Sequence, residues 1–306
     1  MPRVDVVLAT NRSSPFLVET LRSVQAQTFT DWTLTVVDDG SPAPDAWRRS
    51  VDEIPRARVI RQAAAGLSVA RNTGLAQGRG EFVVFLDDDD VWRPDRLAEQ
   101  IAALDLTPAA VACHTGGVFI DSHGETFGIG WHAVPLTSND LLAGTALLPR
   151  IVTLMVRRTT AEELGGFNPV CRIAEDQDFM MRLAAMGNIA AVDLPLVRYR
   201  RHSANASQPG LLLARQETRA YLWRQVAQLR GDGRGEQADL LQRNAQKQRR
   251  IWAEEGCRAI RDALRRRDWR GLRDELAWGL RWHPVALALS ALLAAAGRGG
   301  RSTPTG

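Results

Sequence analysis

Val83-Val84-Phe85-Leu86-Asp87-Asp88-Asp89-Asp90 joins an unbroken apolar run to four consecutive carboxylates. The apolar part has the composition of a strand buried on both faces, and the acids fall where that strand emerges. Four neighbouring carboxylates repel one another unless a cation neutralises them. Oxygen ligands suit Mg²⁺ or Mn²⁺, ions that are often shared with substrate phosphates. A solvated acidic turn is the competing reading. A calcium loop of the EF-hand type is excluded: counted from Asp87, the sixth residue is Trp92 rather than glycine, and the twelfth is Ala98 rather than glutamate.

Outward from this run the pattern alternates. Val4–Ala9 reads as a buried strand. Ser14-Pro15 then marks a helix start, with Ser14 as the cap and Pro15 at the first helical position, and Leu17, Leu21 and Val24 lie on one helix face. Trp32–Val37 is a second strand, ending in Asp38-Asp39-Gly40-Ser41. A strand at Arg58–Arg61, a helix over Leu67–Ala76, the strand Glu81–Leu86 and a helix opened by Pro94 follow. This alternation predicts an α/β fold, a mostly parallel central sheet flanked by helices. Ligands of such sheets bind at the carboxyl ends of the strands, where Thr10, Asp38-Asp39 and Asp87–Asp90 all fall.

Beyond residue 108 the pattern loosens. Strands are predicted at Val111–Cys113, Gly117–Asp121, Ile151–Val156 and Ala190–Tyr199, with a helix over Glu175–Ala185 and a loop over Thr126–Pro135. Residues 211–281 read as helical.

The 306 residues are 45% hydrophobic and 24% charged, the profile of a soluble globular protein. The net charge of +4 divides unevenly: residues 1–210 carry a net −5 and residues 211–306 a net +9. Three scattered cysteines give neither a metal-ligand spacing nor a disulfide framework, and the chain enters its first strand with no signal peptide. A cytoplasmic location is expected. The apolar stretch Pro284–Ala296 is shorter than the roughly 20 residues a spanning helix needs. It reads as a packing helix or as a shallow membrane-surface helix supported by the basic segment before it, which would place the protein peripherally on the inner face of the cell membrane.

Taken in order, the pieces resemble the family 2 glycosyltransferases of GT-A fold. They are Val7-Leu8-Ala9-Thr10-Asn11-Arg12, Val36-Val37-Asp38-Asp39-Gly40-Ser41, Ala70-Arg71-Asn72-Thr73-Gly74, the Asp87–Asp90 run, Gly165-Gly166-Phe167, Glu175-Asp176 and Tyr199-Arg200-Arg201-His202. The resemblance implies an inverting, metal-dependent transferase that takes a sugar from a UDP- or dTDP-sugar to a hydroxyl of a glycan, glycolipid or other acceptor. Assembly of a cell-surface polysaccharide is one such role, and no nucleic-acid partner is expected.

By the same resemblance Asp89 is the ligand of Mn²⁺ or Mg²⁺. Asp87 contacts the ribose or the metal's water shell, Asp88 holds the variable middle position and Asp90 stands behind them. The division among the four acids stays open. Asp39 resembles the acceptor of a base N–H, with Asp38 read either alongside it or as a turn residue. Thr10 and Arg71 resemble nucleotide contacts, and His202 a residue near the diphosphate. Asp176 resembles the general base that deprotonates the acceptor hydroxyl, with Glu175 orienting that base or the acceptor and Asp178 as a less favoured substitute. The implied organisation is a transferase domain over 1–210, with a nucleotide-sugar half at 1–107 and an acceptor half at 108–210, followed by a helical, basic region at 211–306. The alternatives are a sugar-phosphate nucleotidyltransferase, which Ala9–Ser14 disfavours by lacking a glycine-rich loop, and a non-catalytic nucleotide-sugar-binding protein.

Overall fold

The computed structural model describes residues 1–12, 14–202 and 211–282. The apolar stretch Pro284–Ala296 lies outside them. One mixed sheet organises the chain, in the order β3-β2-β1-β4-β8-β6-β9-β5, with β7 paired to β6. Its strands are β1 Val4–Thr10, β2 Trp32–Asp39, β3 Ala57–Gln62, β4 Phe82–Asp87, β5 Val91–Trp92, β6 Ala112–Ile120, β7 Thr126–Trp131, β8 Met155–Arg157 and β9 Ile189–Arg200. The helices are α1 Leu17–Gln25, α2 Asp45–Asp52, α3 Leu67–Gln77, α4 Arg96–Leu106, α5 Ser138–Ala143, α6 Arg158–Glu163, α7 Glu175–Met186, α8 Leu211–Gly231, α9 Gly235–Arg266 and α10 Trp269–Trp282.

The first four strands run parallel, and β1 and β4 are buried almost throughout because helices cover both faces. The chain steps from β1 through β2 to β3 on one side, then returns to place β4 on the other side of β1. Such a reversal opens a crevice at the strands' carboxyl ends. The register seats Thr10 beside Asp38 and Ala9 beside Asp87, so the polar residues that end three strands share one edge. The second half joins through antiparallel pairs, β4 with β8 and β8 with β6, before β6 runs parallel to β9.

The pair Phe82 and Phe85 of β4 is fully buried, as are Phe167 and Phe179; each contributes about 1.5–3 kcal/mol relative to exposure. Phe167 stacks on Phe179 with ring centroids 4.5 Å apart and meets Phe85 edge-on at 4.8 Å. Helix α3 lies unusually close to β1: a Cβ on Gly74 would fall 2.3 Å from Val7 Cγ1. Residues of α8 and α9, among them Tyr221, Leu222, Val226 and Leu241, are continuous with the core of the sheet domain. No described helix is long and apolar enough to cross a membrane.

Three local expectations change. Helix α1 begins at Leu17 without a side-chain cap, and Ser14 Oγ instead accepts from Phe16 N–H in the turn that precedes it. The stretch Ile151–Val156 divides into a 3₁₀ turn, Ile151–Thr153, and the short β8. Thr126–Trp131, expected as loop, is the edge strand β7, hydrogen-bonded to β6 across an irregular register.

Candidate active site

The acidic and basic groups of the site sit at or just beyond strand ends, within α3 and at the start of α7. β1 ends in Thr10, β2 in Asp39 and β4 in Asp87; α3 carries Arg71, α7 opens with Glu175-Asp176, and His202 follows β9. A cleft of about 910 Å³ runs between them, lined on the first-half side by Thr10, Asp39, Arg71 and Asp87–Asp89, and on the other by Arg150, Asp176 and Tyr199.

The Asp run is wired on both flanks. Thr10 Oγ1 donates to Asp88 Oδ2 at 2.6 Å, and Arg12 Nη2 reaches Asp88 Oδ1 at 2.8 Å and Asp89 Oδ2 at 2.9 Å. His202 Nε2 stands 3.0 Å from Asp89 Oδ2. Burial, then Asp87 and Asp88, raise the Asp89 pKa, and His202 opposes them. Asp90 faces inward: its Oδ1 accepts from Arg200 N–H, and burial pushes its pKa well up. The fully buried Arg200 also donates through Nε to the Asp89 carbonyl, through Nη1 to the Asp121 carbonyl and through Nη2 to Glu19. The turn is thereby fixed to β9 and α1.

Arg71 is the link between the two halves. It is 2% exposed and donates to Asp87 Oδ1 at 2.8 Å and to Glu175 Oε1 at 3.1 Å, with its guanidinium 5.1 Å over the Phe167 ring. The next residue, Asn72, grips the Phe167 backbone with both ends of its amide, at 2.8 and 2.7 Å. Gly165 and Gly166 allow that grip, with φ of +69° and +71°, where any Cβ on Gly166 would strike the Asn72 amide. The sequence pieces Ala70–Gly74 and Gly165–Phe167 are thus two sides of one contact.

Glu175 is pushed up to about 7 by burial, with Arg71 opposing. Asp176 is likewise raised, burial first and Arg71 again opposing, while its Oδ1 accepts from the Gln177 N–H. Asp178 is a different kind of group: buried, and 2.7 Å from Arg182, it serves packing within α7 rather than the cleft. Asp39 accepts from Gln62 Nε2, Ala65 N–H and Gly66 N–H, each at 2.8 Å, which orders the loop entering α3. Asp38 accepts from Ser41 N–H and pairs with Arg61, so it is the turn residue of the pair.

All nine expected residues, Thr10, Asp39, Arg71, Asp87, Asp88, Asp89, Glu175, Asp176 and His202, therefore converge on one site. Three contributors escaped the sequence reading. Arg12 lay within a quoted segment but was given no role. Arg150 is boxed by Phe119, Trp131 and Tyr199, with its guanidinium 5.2, 5.0 and 5.0 Å from their ring centroids. Glu217, on α8, accepts from the backbone N–H groups of Arg172, Ile173 and Ala174 at 2.8–2.9 Å and so fixes the approach to α7. Its neighbour Thr218 donates to the Gln177 side chain.

Among the described residues, no three acidic, histidine or cysteine side chains gather as a ready metal cage. The carboxylates of Asp87 and Asp89 beside the cleft still suit a hard cation, because Mg²⁺ is commonly held by one or two carboxylates with substrate phosphates completing its shell. The donor chemistry of the residues present fits such an ion.

The model of Glycosyl transferase family 2 matches residues 5–164. The O-antigen biosynthesis protein RfbC of Myxococcus xanthus is 32% identical over 203 residues, 65% of this chain but only 16% of that protein. An uncharacterized glycosyltransferase of Nostoc is 30% identical over 213 residues, 66% of each chain. The succinoglycan biosynthesis protein ExoW of Rhizobium meliloti is 33% identical over 160 residues, half of this chain and 49% of that one. Among solved structures, S. aureus TarS in complex with UDP-GlcNAc superposes with a TM-score of 0.65 at 19% identity, covering 78% of this chain and 70% of that one. The two share the GT-A fold.

Proposed function

This chain belongs to glycosyl transferase family 2, and we propose that it moves a sugar from a UDP- or dTDP-sugar to an acceptor hydroxyl with inversion at the anomeric carbon. The observation that carries the reading is the ion-pair chain Asp87–Arg71–Glu175, which brings the acids ending β4 and the start of α7 within reach of a single side chain. Names of relatives, in O-antigen and succinoglycan biosynthesis, favour a role in cell-surface polysaccharide assembly. The UDP-GlcNAc held by TarS favours a UDP-sugar donor. The net +9 of residues 211–306 favours a peripheral position on an anionic membrane.

In this mechanism Asp176 takes the proton of the acceptor hydroxyl as that oxygen attacks. A carboxylate whose proton affinity is raised by burial is a better base near neutral pH than a solvated one. The positive charge of Arg71 opposes that rise and favours the ionised form. Glu175, tied to Arg71, positions rather than abstracts. Asp39 holds the loop entering α3 with three of its roughly four acceptor sites, leaving about one, on Oδ2, for a base N–H. Thr10 and Arg12 keep Asp88 and Asp89 in fixed rotamers beside the diphosphate position. Asp89 and Asp87 would hold Mn²⁺ or Mg²⁺, with His202 behind Asp89. A bound divalent ion supplies charge stabilisation for the departing diphosphate.

The test is thermal unfolding with UDP, dTDP or GDP, in Mn²⁺ or in EDTA. A ligand at 100 times its Kd adds about 2.7 kcal/mol of stability. UDP or dTDP with Mn²⁺ is expected to raise the midpoint more than GDP does. No shift with any of the three would overturn the donor assignment.

A further inference from the structure

Arg150 differs from three other guanidiniums of the cleft. Arg12, Arg71 and Arg215 each face carboxylates. The Arg150 guanidinium, among the described residues, makes no hydrogen bond and no ion pair, although it lines the same cleft as Asp87–Asp89 and Asp176; only its backbone carbonyl is engaged, accepting from Thr153. What holds it is aromatic: Phe119 of β6, Trp131 of β7 and Tyr199 of β9, each about 5 Å away. The Arg201 guanidinium stands 4.5 Å over the same Phe119 ring. Trp131 is itself anchored, its Nε1–H donating to the Thr115 carbonyl.

Such a box restrains a flexible side chain by its faces and leaves its N–H edge unused. Aromatic faces stabilise a guanidinium while demanding none of its five donors. A guanidinium fixed in this way is pre-organised, so it loses little freedom on meeting a ligand. The forked donors match a carboxylate or a phosphate two by two. A cation held without a counter-charge, in a cleft otherwise rich in acid, is suited to an anion brought by a substrate.

The placement identifies which substrate. Apart from His202, which follows β9 and reaches back to Asp89, the groups assigned to the donor, Thr10, Asp39, Arg71 and Asp87–Asp89, end β1, β2 and β4 or sit on α3. Arg150 and its three rings belong wholly to the second half of the chain, in the segment before β8 and on β6, β7 and β9. Resting on the transferase reading above, we infer that Arg150 receives an oxyanion of the acceptor, a phosphate or a carboxylate near the hydroxyl that is glycosylated. The acceptor is then a phosphorylated or uronate-bearing glycan rather than a neutral one.

The experiment uses the full chain with Mg²⁺, with and without saturating UDP, and measures binding of glycerol phosphate, glucuronate and glucose by saturation-transfer NMR. Wild type is expected to bind one of the two anions and to bind glucose more weakly. Loss of a charge-assisted bidentate contact predicts at least a tenfold weaker anion affinity in Arg150→Gln. UDP affinity, measured by calorimetry on the same variant, is expected to stay within about twofold, since the donor contacts lie elsewhere. Arg150→Lys keeps the charge and loses the fork, so a severalfold weakening is expected; it gives a second reading should the glutamine variant lose its circular dichroism. Equal anion binding in wild type and Arg150→Gln overturns the inference. A fall in UDP affinity matching that of the anion also overturns it, by giving Arg150 to the donor diphosphate. Wild type that binds UDP but neither anion sinks the inference and leaves the transferase reading standing. Anion binding through Arg150 without any UDP binding does the reverse.

Discussion

Replacing Arg71 by methionine removes the charge between Asp87 and Glu175 while keeping a long side chain against Phe167. The two carboxylates are not equally harmed. Asp87 is 32% exposed and recovers water, so its share of the cost is small. The Glu175 side chain is 10% exposed and loses its counter-charge in a poorly hydrated place, so at pH 8 it must either stay ionised unpaired or take up a proton. Breaking one partner of a buried pair costs about 3–5 kcal/mol, and with only one carboxylate deeply buried the low end, about 3 kcal/mol, applies at pH 8. The sign of the pH dependence follows from Glu175. Its folded pKa, about 7, lies above the ordinary 4.5, so the native state holds the extra proton and stability falls as pH rises between those values. Without Arg71 that pKa rises further. At pH 5.5 Glu175 is protonated and needs no partner, so the cost of Arg71→Met should shrink to about 1–2 kcal/mol, the lost hydrogen bonds and cation–π contact. The assay is urea unfolding at pH 8 and pH 5.5, read by tryptophan fluorescence and by circular dichroism, whose coincidence licenses a free energy. Glu175→Gln in the Arg71→Met background should recover part of the loss at pH 8. A cost that is equal at the two pH values, or a double variant no better than additive, refutes the reasoning.

Asp176→Asn should lower turnover by about 10²–10⁴-fold with near-normal UDP affinity; Glu175→Gln should be milder, and Asp178→Asn should cost stability through Arg182 while sparing turnover, all read in one transfer assay with parallel melts. Asp89→Asn should abolish most of the difference in UDP affinity between Mn²⁺ and EDTA, and calorimetry showing wild-type UDP affinity indifferent to EDTA would remove the metal from the scheme. Gly74→Ala should destabilise by about 1–3 kcal/mol through overpacking against Val7, and adding Val7→Ala should cost less than the two single changes combined; a neutral Gly74→Ala would show that α3 has room to retreat from β1.

What the sequence made legible were features that leave a periodic or compositional trace. The buried β1 and β4 are apolar runs that end in acids, and the helices between strands repeat at helical spacing, so the crevice could be placed from pattern alone. The partnership of Asn72 with Gly165-Gly166-Phe167 was visible only as two pieces in order; its reason, an amide gripping a left-handed turn, needs coordinates. β7 was missed because Phe127 and Ile129 are exposed and Gly128 and Gly130 interrupt the alternation. Ser14 has the chemistry of a cap, but the chain makes one more turn before the helix begins. The aromatic box of Arg150 draws on four separate segments, and no spacing within any of them announces the others.

Glu217 has a consequence for where this enzyme can be divided. The family match ends at residue 164 and every recognisable piece ends by His202, so a protein cut after residue 210 would carry the full signature. Yet the three amides leading into α7 hang from a carboxylate on α8. Removing the C-terminal helices would therefore free the approach to α7 and uncover the part of the apolar core that α8 and α9 share, so the loss would reach well beyond the deleted segment. The end of the motif set and the end of the hydrogen-bonded site fall at different places in this chain.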